Sequence, residues 1–252
     1  MPARSHLRYH QASFDLLNIV PLESAPAVAA IDACERRIGR PLPRALREWY
    51  SLQGVAKPVS RQNRSVPINQ IEIETPDADQ TSSTDEKSVP LLIIMHENQG
   101  VCRWGVRLNG SEDPATMVQL VTTPSSRWQS YADHYSTLIF TEIWDWHTDE
   151  LSGMAAIDEP PSEATLAFLN TNYVEGPRTY NWPARTTYRW HAPDVRILIW
   201  AGEQQADWFV HAKTVGRLEQ VCRSLWNLGT LSQTLYGFTD KEHVLLKGLR
   251  RE

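Results

Sequence analysis

The chain has 252 residues, 41% hydrophobic and 22% charged, an ordinary balance for a soluble globular protein and long enough to bury a sizeable core. It has no run of about 18 apolar residues, which excludes an apolar membrane-crossing helix. The formal charge of −5 is unevenly spread: residues 1–64 carry ten Lys/Arg against five Asp/Glu, whereas 128–177 carry nine Asp/Glu and neither Lys nor Arg, which argues against a phosphate backbone as the ligand of that stretch.

Met1 to Gln11 is polar and His-rich, and the next apolar patch is interrupted by Asp15 and Asn18, unlike a secretory signal, so a cytoplasmic protein is expected. Phe14 to Ile19 has the spacing of a short helix ended by Pro21. From Ala27 to Ile38, apolar Val28, Ile31, Cys34 and Ile38 recur at three- and four-residue steps, which predicts a helix. Gly39 is placed to cap it, and Arg36, Arg37 and Arg40 suit the negative end of its dipole. Pro41-Leu42-Pro43 then redirects the chain into a second helix, Arg44 to Leu52, with Leu46, Trp49 and Tyr50 on one side.

Val66 to Ile73 alternates loosely and predicts a first strand. Thr75 to Ser88 has no large apolar residue and reads as a loop. Its DxD start lacks the glycine and the twelfth-position glutamate of a calcium loop, so no metal is expected there. Leu91 to Val121 predicts a three-stranded meander. Leu91 to Met95 is an unbroken apolar run, Val101 to Leu108 alternates, and Thr116 to Val121 supplies the third strand. Glu97-Asn98-Gln99-Gly100 and Asn109-Gly110 with Asp113-Pro114 provide the turns.

Ser130 is placed to cap a helix running to about Trp146, with Ala132, Tyr135, Ile139, Ile143 and Trp146 along one stripe. The other side of that helix then presents Asp133, Glu142, Asp145 and Asp149 to solvent. Glu159-Pro160-Pro161 reads as a linker, giving residues 1–157 as one domain and 158–252 as an α+β extension. The extension predicts a helix from Ser162 to Asn170, then strands at Thr186 to His191, Val195 to Trp200 and Asp207 to Ala212. A helix from Thr214 to Leu228 follows, and Thr239-x-x-Glu242 is a capping box for a last short helix. No internal repeat is evident.

Catalytic signatures are absent. His96-Glu97 lacks the second histidine of HExxH, and GxSxG, GxxxxGK[ST] and GxGxxG do not occur. His147 among Asp145, Asp149 and Glu150 reads as a solvated helix end rather than a metal site. Cys34, Cys102 and Cys222 are far apart and apolar in context, hence buried free thiols. Most of the ten tryptophans, among them Trp104, Trp200, Trp208 and Trp226, fall on apolar faces and suit core packing.

The stretch IDACERRIGRPLPRALREWYSLQG resembles the opening of the SUKH superfamily, named for bacterial immunity proteins and a yeast regulator of cell-wall synthesis. The matching positions are Glu35, Ile38, Gly39, Leu42, Pro43, Trp49 and Gly54. HENQGVCRWGV followed by Asp113-Pro114 is similar to a subgroup pattern carried here by Glu97, Asn98, Gly100, Trp104, Asp113 and Pro114, with Trp128 also matching in position. The chain departs from it at Gln53-Gly54-Val55 and continues about a hundred residues past the usual end. The resemblance covers about residues 27 to 147. It implies an α+β fold with a mixed, largely antiparallel sheet and a protein that binds and neutralises a cognate toxin, often a nuclease or deaminase, with no catalytic residues and no cofactor.

Charge and resemblance together lead to the expectation of a toxin with a basic surface, met by an acidic belt of Asp77, Asp79, Asp85, Glu86, Glu142, Asp145, Asp149 and Glu150, with neither nucleic acid nor membrane as partner. An alternative is an intracellular scaffold or regulatory module of the same fold. A small-ligand enzyme built on His96, Glu97, His147 and Asp149 is a third class, and it requires a pocket that brings these groups together.

Overall fold

A computed structural model describes residues 7–76, 89–122, 126–148, 151–231 and 234–249. The chain forms two units, Met1–His147 and Thr148–Glu252. Each combines helices with its own antiparallel sheet, an α+β fold.

The first unit begins with four helices: α1 (Gln11–Leu17), α2 (Ala25–Ile38), α3 (Arg44–Tyr50) and α4 (Ala56–Val59). Ser24 caps α2 by accepting a hydrogen bond from the Ala27 amide, 3.3 Å, and Gly39 ends it in the left-handed region at φ 74°. The predicted strand over Val66 to Ile73 is replaced by β1 (Asn63–Ser65), a 3-10 turn at Ile68–Gln70 and β2 (Glu72–Glu74). Pro67, with no amide to donate to a ladder and a fixed φ, splits the run.

The meander is present as β3 (Leu91–Glu97), β4 (Cys102–Arg107) and β5 (Thr116–Leu120), and it continues into β6 (Trp128–Ala132). Strand order is β1-β3-β4-β5-β6, with β2 also on β3. Ser130 therefore lies in a strand rather than at a helix cap. Trp128 and Tyr131 are 1% and 2% exposed, so burial of these rings holds the segment on the sheet. Gly105 lets the Trp128 ring approach β4 closely, since a Cβ there would stand 3.2 Å from the indole. Helix α5 (Tyr135–Trp146), with His134 rather than Ser130 at its N-cap, starts four residues later than the sequence suggests and packs against β6, α1, α3 and α4.

The second unit opens with β7 (Ser152–Asp158), which pairs with later strands and moves the division between units from 157/158 to 147/148. Its small residues concealed the alternation: Met154 and Ala156 enter the core, while Gly153 lies under His211 and Phe238. There follow α6 (Glu163–Asn172), β8 (Val174–Glu175), β9 (Thr179–Tyr180), β10 (Thr186–Ala192), β11 (Val195–Ala201), β12 (Ala206–Ala212), α7 (Val215–Trp226), β13 (Thr234–Gly237) and α8 (Asp240–Leu249). The sheet order is β13-β7-β12-β11-β10-β8, with β9 on β10.

One face of that sheet carries Trp190, Ile197, Ile199, Trp208 and Val210 into a core closed by Leu218, Val221, Cys222 and Leu225 of α7. Trp104 and Trp208 are fully buried, whereas Trp200 and Trp226 are half-buried. All three cysteines are free and buried, and burial pushes their thiol pKa values up.

The capping box at α8 does more than cap. The buried Glu242 carboxylate accepts from the Thr239 amide at 2.8 Å, from Phe238 at 2.9 Å and, through its other oxygen, from Gly153 of β7 at 2.8 Å. Glu242→Ala strands three amides and is expected to cost about 2–3 kcal/mol, read as a lower denaturation midpoint; a loss under about 0.5 kcal/mol is what a surface side chain with no structural contacts gives and refutes this role.

Candidate binding cleft

Two residues of the expected acidic belt, Glu142 and Asp145, can be placed. Asp77, Asp79, Asp85, Glu86, Asp149 and Glu150 lie outside the described residues. Glu142 is a correction: it is 6% exposed and accepts a 2.8 Å hydrogen bond from the Asn63 side-chain amide. Because α5 is packed on several sides, its buried set runs from Tyr135 through Leu138, Ile139, Thr141, Glu142 and Ile143 to Trp144, and it has no broad wet face. Asp145 is half-buried, and Asp133 is exposed just before the helix.

The signature residues of the meander have structural work. Glu97, 6% exposed, accepts from the amides of Gln99 at 2.6 Å and Val101 at 3.3 Å, closing a turn in which Asn98 is exposed and Gly100 sits at φ 74°. Trp104 fills the core, edge-on to Tyr131 with 5.8 Å between ring centres. Trp128 lies under the Arg103 guanidinium at 5.1 Å, and Arg103 in turn pairs with Glu74 at 2.7 Å. Asp113 caps α5 from a distance, accepting from the Ser136 amide at 3.0 Å and its hydroxyl at 2.5 Å, beside a buried Pro114.

Of the candidate polar groups, Asp149 lies outside the described residues, and His96 and Glu97 diverge. His96 and Glu97 are successive residues of β3 and so point to opposite faces. His96 lies between Arg64 and Arg103 in the ladder; burial first, then these two cations, lower its pKa. Among the described residues no group of three His, Cys, Asp or Glu is arranged to hold a metal ion.

What the fold does build is a cleft of about 760 Å³ between the α2–α3 hinge and the β4–β5 turn, a size that suits a small ligand or a short peptide segment. One wall is Gly39 through Pro43, with Leu42 buried and the two prolines fixing the bend. Glu35 holds this wall: one carboxylate oxygen accepts from the Leu42 amide at 2.7 Å, and the other pairs with Arg47, which also reaches Asp32 at 3.1 Å.

The opposite wall is Leu108, Gly110, Ser111 and Glu112. The Glu112 carbonyl accepts from the Ala45 amide at 2.9 Å, tying turn to helix. Its carboxylate receives the Tyr9 hydroxyl, Arg8 and Arg44, each at 2.8 Å. Glu48 secures the segment before α1 by accepting from the amides of Arg8, Tyr9 and His10 at 2.8, 2.8 and 3.0 Å. The cleft surface is therefore arginine, proline, glycine and leucine, with Ser111 and the two carboxylates Glu35 and Glu112, on a braced frame.

Arg40, Arg44, Arg47 and Glu112 were not singled out as site residues in the sequence. Their signal was there, five arginines between 36 and 47, but helix-dipole complementarity accounted for the first of them.

Comparison with protein-family models, curated proteins and solved structures finds no match. The cleft's chemistry is accordingly argued from its own residues.

Two outcomes test the frame. Glu35→Ala leaves the Leu42 amide and Arg47 without their acceptor and is expected to cost about 1–3 kcal/mol, with Glu35→Gln, which still accepts from Leu42, losing less in urea unfolding. The Tyr9 hydrogen bond, aided by Arg44 and Arg8, holds the Glu112 pKa below its ordinary 4.5, so the unfolded chain takes up this proton first as pH falls. The stabilisation is complete above that ordinary value and is lost as pH drops through the folded one. Glu112→Gln should therefore be less stable than the parent above about pH 5 and converge with it at the acid end; a gap constant with pH refutes the clamp.

Proposed function

We propose that the chain is a protein-binding module that neutralises a cognate toxin, the function implied by the resemblance of its Glu35–Gly54 and Glu97–Pro114 motifs to the SUKH superfamily. The observation that carries this reading is the braced cleft. Four motif residues, Glu35, Gly39, Leu42 and Pro43, line it together. The motif carboxylates of the meander, Glu97 and Asp113, are occupied by backbone amides at the same time. A binder needs a preformed surface, and rigid walls lower the entropy lost on association.

A basic toxin surface met by acidic side chains remains part of the proposal for Asp145 and its neighbours, but buried Glu142 is not among the contacts. Blocking an active site by contact requires no reactive group in the inhibitor.

The test is co-expression with the product of the adjacent gene. The expected result is protection of growth and a stoichiometric complex on size-exclusion chromatography. An adjacent product that is harmless alone and forms no complex overturns the immunity reading.

A further inference from the structure

The arginines of the cleft are not all explained by the fold. Arg36 and Arg37 occupy the last turn of α2, where the helix dipole favours a cation, and Arg37 also donates to the Ile71 carbonyl at 2.7 Å. Arg47 is spent on Glu35 and Asp32. Arg44 stands in the first turn of α3, where the dipole disfavours a cation, and its side chain is 66% exposed even while it touches Glu112. Glu112 is shared with Arg8 and Tyr9, so Arg44 keeps donors for a ligand. Arg40 lies beyond the Gly39 cap, is exposed on the rim, and forms no ion pair among the described residues.

Resting on the binder reading above, we propose that this cleft receives an acidic, extended segment of the partner protein, with carboxylates taken by Arg40 and Arg44. Guanidinium and carboxylate match in planar, two-point geometry, which makes such contacts both strong and orienting. The second wall discriminates. Glu112, 40% exposed, and Glu35 also line the space, so a uniform polyanion such as a nucleic-acid backbone meets two carboxylates. A peptide, whose acidic side chains alternate with neutral groups and backbone amides, can place an amide against Glu112 and a carboxylate against Arg44.

This surface is opposite in sign to the acidic belt. The two proposals concern different contacts: one takes basic groups of a partner, the other its acidic segment.

The experiment uses the full chain and three fluorescein-labelled probes: an alternating Asp/Gly octapeptide, its Lys/Gly counterpart, and an eight-residue oligothymidylate. Anisotropy is expected to show binding of the Asp/Gly peptide that weakens as salt is raised, no binding of the Lys/Gly peptide, and weaker binding of the oligothymidylate. Arg40→Glu, on an exposed side chain without an ion-pair partner among the described residues, is expected to weaken the Asp/Gly peptide at least about tenfold, and the milder Arg44→Gln about threefold, with far-UV circular dichroism unchanged. Unaltered affinity in both variants overturns the site, as does absence of any Asp/Gly binding to the folded parent. Oligothymidylate bound more tightly than the Asp/Gly peptide overturns the peptide assignment.

The co-expression readout separates this proposal from the one it rests on. A complex with the adjacent-gene product that survives both substitutions overturns the cleft as its interface and leaves toxin neutralisation standing. Arg40-dependent peptide binding without any such complex supports the cleft and removes the immunity reading alone.

Discussion

One carboxylate, Glu35, sets the geometry on which the first unit's candidate site depends. It accepts from the Leu42 amide and from Arg47, so the end of α2, the proline bend and the start of α3 are fixed by a single side chain that is 18% exposed. Prolines at 41 and 43 limit the backbone but do not choose a direction; the Glu35 contacts choose it. With the bend held there, Ala45 is placed to donate to the Glu112 carbonyl, and the β4–β5 turn becomes the second wall of the cleft.

The same device recurs elsewhere in the chain. Glu48 gathers three amides before α1, Glu97 closes the first hairpin turn, Asp113 starts α5, and Glu242 joins β7 to α8. A carboxylate is well suited to this because it has about four acceptor positions and no donor, and a charged acceptor strengthens each bond. Many carboxylates in this acidic chain are thus structural. Local surplus of negative charge in the sequence is a poor guide to negative surface, as Glu142 demonstrates by pairing with Asn63 inside the first unit.

Legibility in the sequence followed periodicity. The helix at α2, the strands β3 to β5 and β10 to β12, and the capping box at Thr239 and Glu242 were all readable, because local hydrophobic period and turn chemistry specify them. Among the strands not read from the sequence, β7 and β6 were hidden for reasons visible in their residues. In β7, Gly153, Ala155 and Ala156 carry too little hydrophobic contrast to show alternation. In β6, Ser130 looks like a cap, and only the burial of Trp128 and Tyr131 reveals a strand. Of the site, the hinge motif was legible, but its meaning as one wall of a cleft was not, since the other wall lies about 65 residues further along the chain and meets it only through the fold.

The sequence by itself determined the α+β class, the meander, the caps at Gly39 and at Thr239 with Glu242, and the buried thiols, because each depends on neighbours within a few residues or on side-chain polarity alone. Tertiary structure alone decided which charges are free. Glu142 and Glu97 were drawn inside, Glu112 was shared among Arg8, Arg44 and Tyr9, and Arg40 was left on the rim without an ion pair among the described residues. Ion pairing and burial are set by distances between residues far apart in the chain, which no local pattern encodes.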